Sequence, residues 1–143
     1  MQITLETDYA IRIVLCLASH DKRMDAKAIS ECTNVSLRFA LKILRNLVSS
    51  GVITSFKGVH GGYILAKPAD EITLKDIIDI EKGPYKFSRC LNDDFECPVK
   101  SDSQYPCACH SVFNEISDYV NSKLDSTTIA MLIKPNKTVI IDT

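Results

Sequence analysis

The sequence is short of the features that mark several common protein classes. Its longest apolar run, Ile13 to Ala18, is six residues long, far below the ~20 that cross a bilayer. No membrane partner is therefore expected. The only stretch that a secretory signal would occupy is interrupted by Glu6, Asp8 and Arg12, so the expected location is the cytoplasm. There is no Cys-x-x-Cys, no dinucleotide-type glycine motif, and no acid/base pair in an evident pocket. A redox enzyme thus has no support, and neither catalysis nor a small-molecule substrate is expected. Internal repeats and low-complexity tracts are missing as well. The chain has 143 residues, 45% hydrophobic and 24% charged, with a net charge of -1. That composition excludes disorder as the default and suffices for a packed core.

The near-neutral balance conceals an asymmetry. Residues 1–67 carry nine Lys/Arg against five Asp/Glu, whereas residues 68–143 carry eight against thirteen. From Thr33 to Ala69 there is no acid at all, while Arg38, Lys42, Arg45, Lys57 and Lys67 fall within that stretch. A basic block followed by an acidic one suits a polyanion-facing half and a half with another task.

Periodicity predicts a first helix over about 7–19, with Ile11, Val14, Leu15 and Ala18 at helical spacing. Asp25 is placed to cap a short helix over 26–32, and Thr33-Asn34 reads as a turn. Ser36 is placed to cap a longer helix that ends before Gly51, with Leu37, Ala40, Leu41, Leu44, Leu47 and Val48 as its apolar stripe. Arg38, Lys42, Arg45 and Ser49 recur at spacings of four, three and four, and so share another face. Two strands are expected at 52–56 and 63–66, joined by the glycine-rich loop Lys57-Gly58-Val59-His60-Gly61-Gly62. Thr73 with Asp76 predicts a capped helix through about Glu81. Helical spacing returns from Ser111 to Leu124, and the tail offers a short helix and a strand, or a docking segment.

This order describes a mainly α (α+β) fold: a winged helix–turn–helix unit over 1–82, a cysteine-rich loop over 83–110, and a dimerisation helix with a tail over 111–143. In a winged helix the long helix needs a basic outer face for the major groove, which Arg38, Lys42 and Arg45 supply. The hairpin needs a thin, backbone-rich tip to reach the minor groove, as Lys57, His60, Gly61 and Gly62 would provide. The amides that start the long helix at Ser36 suit a phosphate. The expected partner is double-stranded DNA.

The loop holds three of the five prolines and four of the six cysteines, read as Cys90-x6-Cys97-x9-Cys107-x-Cys109-His110. The close two-cysteine bite of structural zinc sites is missing, and a disulfide framework is not expected in a cytoplasmic protein. Thiolates spread along a flexible loop suit an iron–sulfur cluster. Cys16 reads as an inert core thiol and Cys32 as structural.

Four segments together resemble the IscR/NsrR family of dimeric winged-helix regulators, many of which sense through an iron–sulfur cluster. They are the opening Met1-Gln2-Ile3-Thr4-Leu5-Glu6-Thr7-Asp8-Tyr9-Ala10, the helix Arg38-Phe39-Ala40-Leu41-Lys42-Ile43-Leu44, the wing Gly58-x-x-Gly61-Gly62-Tyr63-x-Leu65, and the three-cysteine loop. The resemblance covers roughly residues 1–125. It implies that Cys90, Cys97 and Cys107 hold the cluster, with 4Fe–4S favoured over 2Fe–2S. Asp8 matches the carboxylate ligand that NsrR-like members supply from the partner subunit. His110 matches the histidine of IscR-like members, and Cys109 is a further alternative. A non-thiolate ligand is labile, as a sensor requires. The bland alternative for Asp8 is a helix-start acid paired with Arg12 four residues on. The resemblance also implies a homodimer that pairs through Val112, Ile116, Tyr119 and Val120. The implied function is a transcriptional regulator, a repressor, switched by redox, nitric oxide or iron status. The alternatives are a cluster-free thiol-based redox repressor and a cysteine-metabolism regulator of the same fold. The sequence departs from the family in the long Cys97–Cys107 gap, in Lys57 where arginine is common, in Val59-His60 of the wing, and in Leu41 where IscR-like members carry an acid.

Overall fold

The computed structural model of the chain describes residues 3–98 and 107–133. Six helices and one hairpin follow in the order α1 (Leu5–His20), α2 (Ala26–Thr33), α3 (Leu37–Ser49), β1 (Ile53–Phe56), β2 (Gly62–Leu65), α4 (Leu74–Lys82), α5 (Ala108–Asp125) and α6 (Ile129–Ile133). This is the mainly helical winged plan, with a single two-stranded antiparallel sheet. None of the described helices is long and apolar enough to cross a membrane.

Local chemistry fixes where the helices begin. Thr4, Asp25 and Ser36 each accept a backbone N–H with the side chain at the starts of α1, α2 and α3. Thr73 and Asp76 form a reciprocal capping box on α4. At eight residues α2 is too short to persist alone. It is held by Ile29, fully buried between α1 and α3.

The core is one cluster: Ala10, Ile13, Val14 and Leu17 of α1, Ile29 of α2, Ala40, Ile43, Leu44 and Leu47 of α3, then Val52, Ile53, Ile72, Ile77 and Ile129. Two expectations for α3 need correction. Leu37 and Leu41 face outward, 46% and 37% exposed, and Ile43 takes the inward place instead. The inward positions 40, 43, 44 and 47 follow helical spacing, which leaves no room on that side for residues 37 and 41. The tail behaves as a docking segment as far as Ile133. The Ile129 amide bonds the Ile72 carbonyl at 2.8 Å, the Leu74 amide bonds the Thr127 carbonyl at 2.9 Å, and Ile129 is completely buried in the core of the head, the unit formed by α1–α4 and the hairpin. The strand expected around 139–141 lies outside the described residues.

The cysteines bring a further correction. Cys16 and Cys32 are joined as a disulfide between α1 and α2, with Cα atoms 6.6 Å apart, so Cys16 is not a free core thiol. Sequence spacing could not reveal the pair, because it depends on how α2 packs across α1.

Candidate nucleic-acid interface and cysteine loop

The recognition face begins with α3. Ser36 caps it, and its Oγ accepts the Phe39 amide. Arg38, Lys42 and Arg45 all project from the exposed side, beside the outward Leu37 and Leu41. Among the described residues Arg38 and Arg45 form no ion pair. Lys42 does: its Nζ meets Glu6 Oε1 of α1 at 2.5 Å. That hydrogen bond, followed by the Lys42 charge, holds the Glu6 carboxyl below its ordinary range. An acid from α1 therefore stands against the recognition face. Periodicity gave no sign of it, since the two residues are 36 apart in sequence.

The wing is fixed from an unforeseen direction. Arg23, in the polar stretch after α1, donates from Nη1 to the His60 carbonyl at 2.9 Å and lies 3.6 Å above the Phe56 ring. Met24 exchanges two backbone hydrogen bonds with Tyr63 of β2, at 3.0 and 2.8 Å, so the link before α2 pairs with the outer side of β2 as a one-residue antiparallel bridge. The glycines are required by close approach. A Cβ on Gly61 would stand 2.6 Å from the Phe56 carbonyl, and one on Gly62, whose φ is +143°, would stand 2.6 Å from that of Met24. Lys57 and His60 stay fully on the surface. The exposed side of α3 meets the hairpin at a surface depression lined by Leu41, Arg45, Ser55 and Tyr63.

The second region starts where α4 ends. Residues 83–98 run as a loop with one short 3₁₀ turn at Arg89–Leu91, packed on α5. The Phe87 amide donates to Ser117 Oγ at 2.8 Å, Asn121 Nδ2 donates to the Tyr85 carbonyl at 2.9 Å, and the Phe87 and Phe113 rings lie 5.2 Å apart. A cleft of about 460 Å³ separates this loop from the start of α1 and is lined by Thr4, Thr7, Ile78, Lys82, Phe87 and Arg89 among others. The first helix and the cysteine loop of one chain therefore border the same space.

With Cys16 and Cys32 bonded, the free cysteines are Cys90, Cys97, Cys107 and Cys109. Cys90 is half-buried and the other three are exposed; Cys107 precedes the first turn of α5, which holds Cys109 and the exposed His110. The donors are soft, unpaired and carried on a loop, which fits an iron–sulfur cluster. Among the described residues they do not converge at single-ion spacing; the group that does is Cys16, His20 and Cys32. Asp8 Oδ2 pairs with Arg12 at 2.8 Å, an exposed contact between residues one turn apart that leaves Oδ1 outside the pair. On α5, Val112 and Tyr119 are 50% and 75% exposed, Ile116 and Val120 are half-buried, and Ser117 is the one fully buried residue among those described.

Comparison with known proteins adds an independent line. The model of the Rrf2 family, described as an iron-dependent transcriptional regulator, matches residues 3–135. The regulator CymR of Bacillus subtilis is 30% identical over 131 residues, 90% of this chain and 87% of its own. Its structure, described as that of the global cysteine regulator, superposes with a TM-score of 0.75 at 27% identity, covering 93% of this chain and 96% of that one. The structure of T. potens IscR superposes with a TM-score of 0.71 at 25% identity, over 92% and 86% of the two chains. The protein rrf2 of Nitratidesulfovibrio vulgaris is 28% identical over 143 residues, 94% of this chain and 88% of its own.

Proposed function

This chain belongs to the Rrf2 family of iron-dependent transcriptional regulators, and from that premise we propose that it is a homodimeric, cytoplasmic repressor whose operator affinity is set by an iron–sulfur cluster. The observation that carries the reading is the pairing of two features in one chain: an outward α3 face with Arg38, Lys42 and Arg45 followed by a glycine-tipped wing, and four unpaired thiols on the later loop and the first turn of α5.

Cys90, Cys97 and Cys107 would hold the cluster, with Asp8 as the favoured fourth ligand and His110 or Cys109 in its place otherwise. When bound, such a group supplies a centre that oxygen, nitric oxide or iron limitation can remove. The protein's own residues do the rest. Ser36, Arg38, Lys42 and Arg45 engage the major groove and its phosphates, while Lys57 and His60 flank a wing tip whose Gly61-Gly62 backbone lets it enter the minor groove. Val112, Ile116, Tyr119 and Val120 pair α5 with its twofold mate, so that two heads are presented about one DNA turn apart. Movement at the loop has a physical route to the head. The loop bonds to Ser117 and Asn121 of α5, and the chain leaving α5 buries Ile129 in the head core. A coupling of about 1–3 kcal/mol along that route corresponds to a 5–150-fold change in affinity.

The decisive experiment is an anaerobic preparation assayed for iron, acid-labile sulfide and operator binding. Brown protein whose DNA affinity changes when the metal is chelated is expected. Colourless protein that resists reconstitution, yet still binds DNA, would leave the second reading standing. That reading, a cluster-free regulator of cysteine metabolism, is favoured by the likeness to CymR and predicts co-purification with a partner enzyme of that metabolism.

A further inference from the structure

The Cys16–Cys32 pair lies outside everything assigned so far. It joins the fourth turn of α1 to the last turn of α2, immediately before the Asn34 turn that leads into the recognition helix. Its two sulfurs live in different surroundings. Cys16 is 6% exposed and belongs to the core, whereas Cys32 is exposed. Around Cys16 Sγ stand Met24 Sδ at 3.9 Å and His20 Nδ1 at 4.0 Å. His20 Nδ1 is also 2.8 Å from the Cys16 carbonyl. A carbonyl only accepts, so that nitrogen carries the proton and donates it there, which holds the imidazole beside the sulfur.

We propose that Cys16 and Cys32 form a reversible thiol–disulfide site that reacts with peroxides and stiffens the DNA-reading head, independently of the loop cysteines. The asymmetry divides the chemistry. The accessible Cys32 thiolate attacks a peroxide oxygen; the O–O bond breaks, Cys32 becomes a sulfenic acid, and the other oxygen leaves as water or alcohol after taking up a proton. The Cys16 sulfur then attacks the sulfenic sulfur, forming the S–S bond and expelling hydroxide, which takes the Cys16 proton and leaves as water. Each sulfur has lost one electron, and the peroxide has gained the two. Reversal needs a dithiol reductant. One of its thiolates attacks exposed Cys32 and displaces Cys16 as a thiolate beside the His20 imidazole. Its second thiol then resolves the mixed disulfide, frees Cys32 and leaves the reductant oxidised.

Cys16, His20 and Cys32, once reduced, also offer a donor set for a thiophilic metal ion. The disulfide is the reading we adopt, because bonded sulfurs present no thiolate to a metal.

The test uses the full chain with Cys90, Cys97, Cys107 and Cys109 replaced by alanine, alongside the unsubstituted protein. Both are reduced, treated with hydrogen peroxide, blocked with an alkylating reagent and mapped by mass spectrometry. A Cys16–Cys32 cross-linked peptide should appear in both and vanish on treatment with a dithiol. Closing a loop of this length should raise the melting temperature of the oxidised form over the reduced form by roughly 5–10 °C. Cys32→Ser should abolish both changes, and Cys16→Ala should stop the oxidation of Cys32 at the sulfenic acid, detectable with dimedone. The proposal is overturned if Cys32 stays fully alkylatable after peroxide in the unsubstituted protein. It is equally overturned if the reduced pair retains one equivalent of zinc that shields both thiols.

Discussion

The head and the cysteine-bearing half of this chain are ordered by different means. Nearly every fully buried residue lies before position 79, with Ile129 returning to the same cluster from the tail. In α5, eighteen residues long, only Ser117 is buried among the described positions. A helix of that length with a single buried serine has its apolar side unspent, and four free thiols lie along the loop before it and in its first turn. The head is held by burial around one core, which Ile129 of the tail completes. On the proposed function, the second half would be completed by a mate for α5 and a ligand for the thiols, so that one part reads DNA and the other registers the signal.

Substitutions can sharpen or break this contrast. The largest effect is expected in the head core, where Leu44→Ala should cost about 2–5 kcal/mol in denaturant unfolding. Ile116→Ala should instead leave monomer stability within about 1 kcal/mol and weaken the dimer by sedimentation; equal loss of stability in the two variants would erase the contrast. Cys97→Ala should next remove bound iron and the brown colour completely, whereas Cys16→Ala should keep both. Loss of iron in both variants would move the metal into the head. Smaller again, Lys42→Ala should weaken operator binding and lower the salt slope by about one if Lys42 meets a phosphate; an unaltered slope would take Lys42 off the interface.

The smallest effect concerns Glu6. Its folded-state pKa is depressed by Lys42, so the ion pair favours the folded arrangement above the ordinary carboxylate range and is lost as pH falls through the lowered value. Glu6→Gln should make operator binding severalfold tighter near neutral pH, since it removes an acid from beside the DNA phosphates and frees Lys42. Weaker binding by this variant would show that Glu6 positions Lys42 rather than competing for it.

Much of the head was legible in the sequence for reasons local to each element. Capping side chains at Thr73, Asp25 and Ser36, the paired glycines of the wing and the acid-free basic stretch act over a few residues, so reading along the chain finds them. The misreadings share one origin in contacts between distant positions. Leu37 and Leu41 were assigned inward because an α3 with so many leucines offers more than one apolar side, and only the neighbouring helices choose between them. Arg23 carries no local signal of a role, yet it secures the wing tip 37 residues away. Glu6 and Lys42 are as distant in sequence and meet across two helices.

By itself the sequence determined the kind of protein: a winged helix–turn–helix with a basic reading helix, followed by a thiol-bearing loop and an amphipathic helix. Those features rest on backbone preference and side-chain periodicity, which are properties of short segments. Tertiary structure alone decided which thiols are joined, which cation is already neutralised and where the tail is buried. Each of these is a pairing across the fold, and a pairing exists only once packing has brought its two members within a few ångströms.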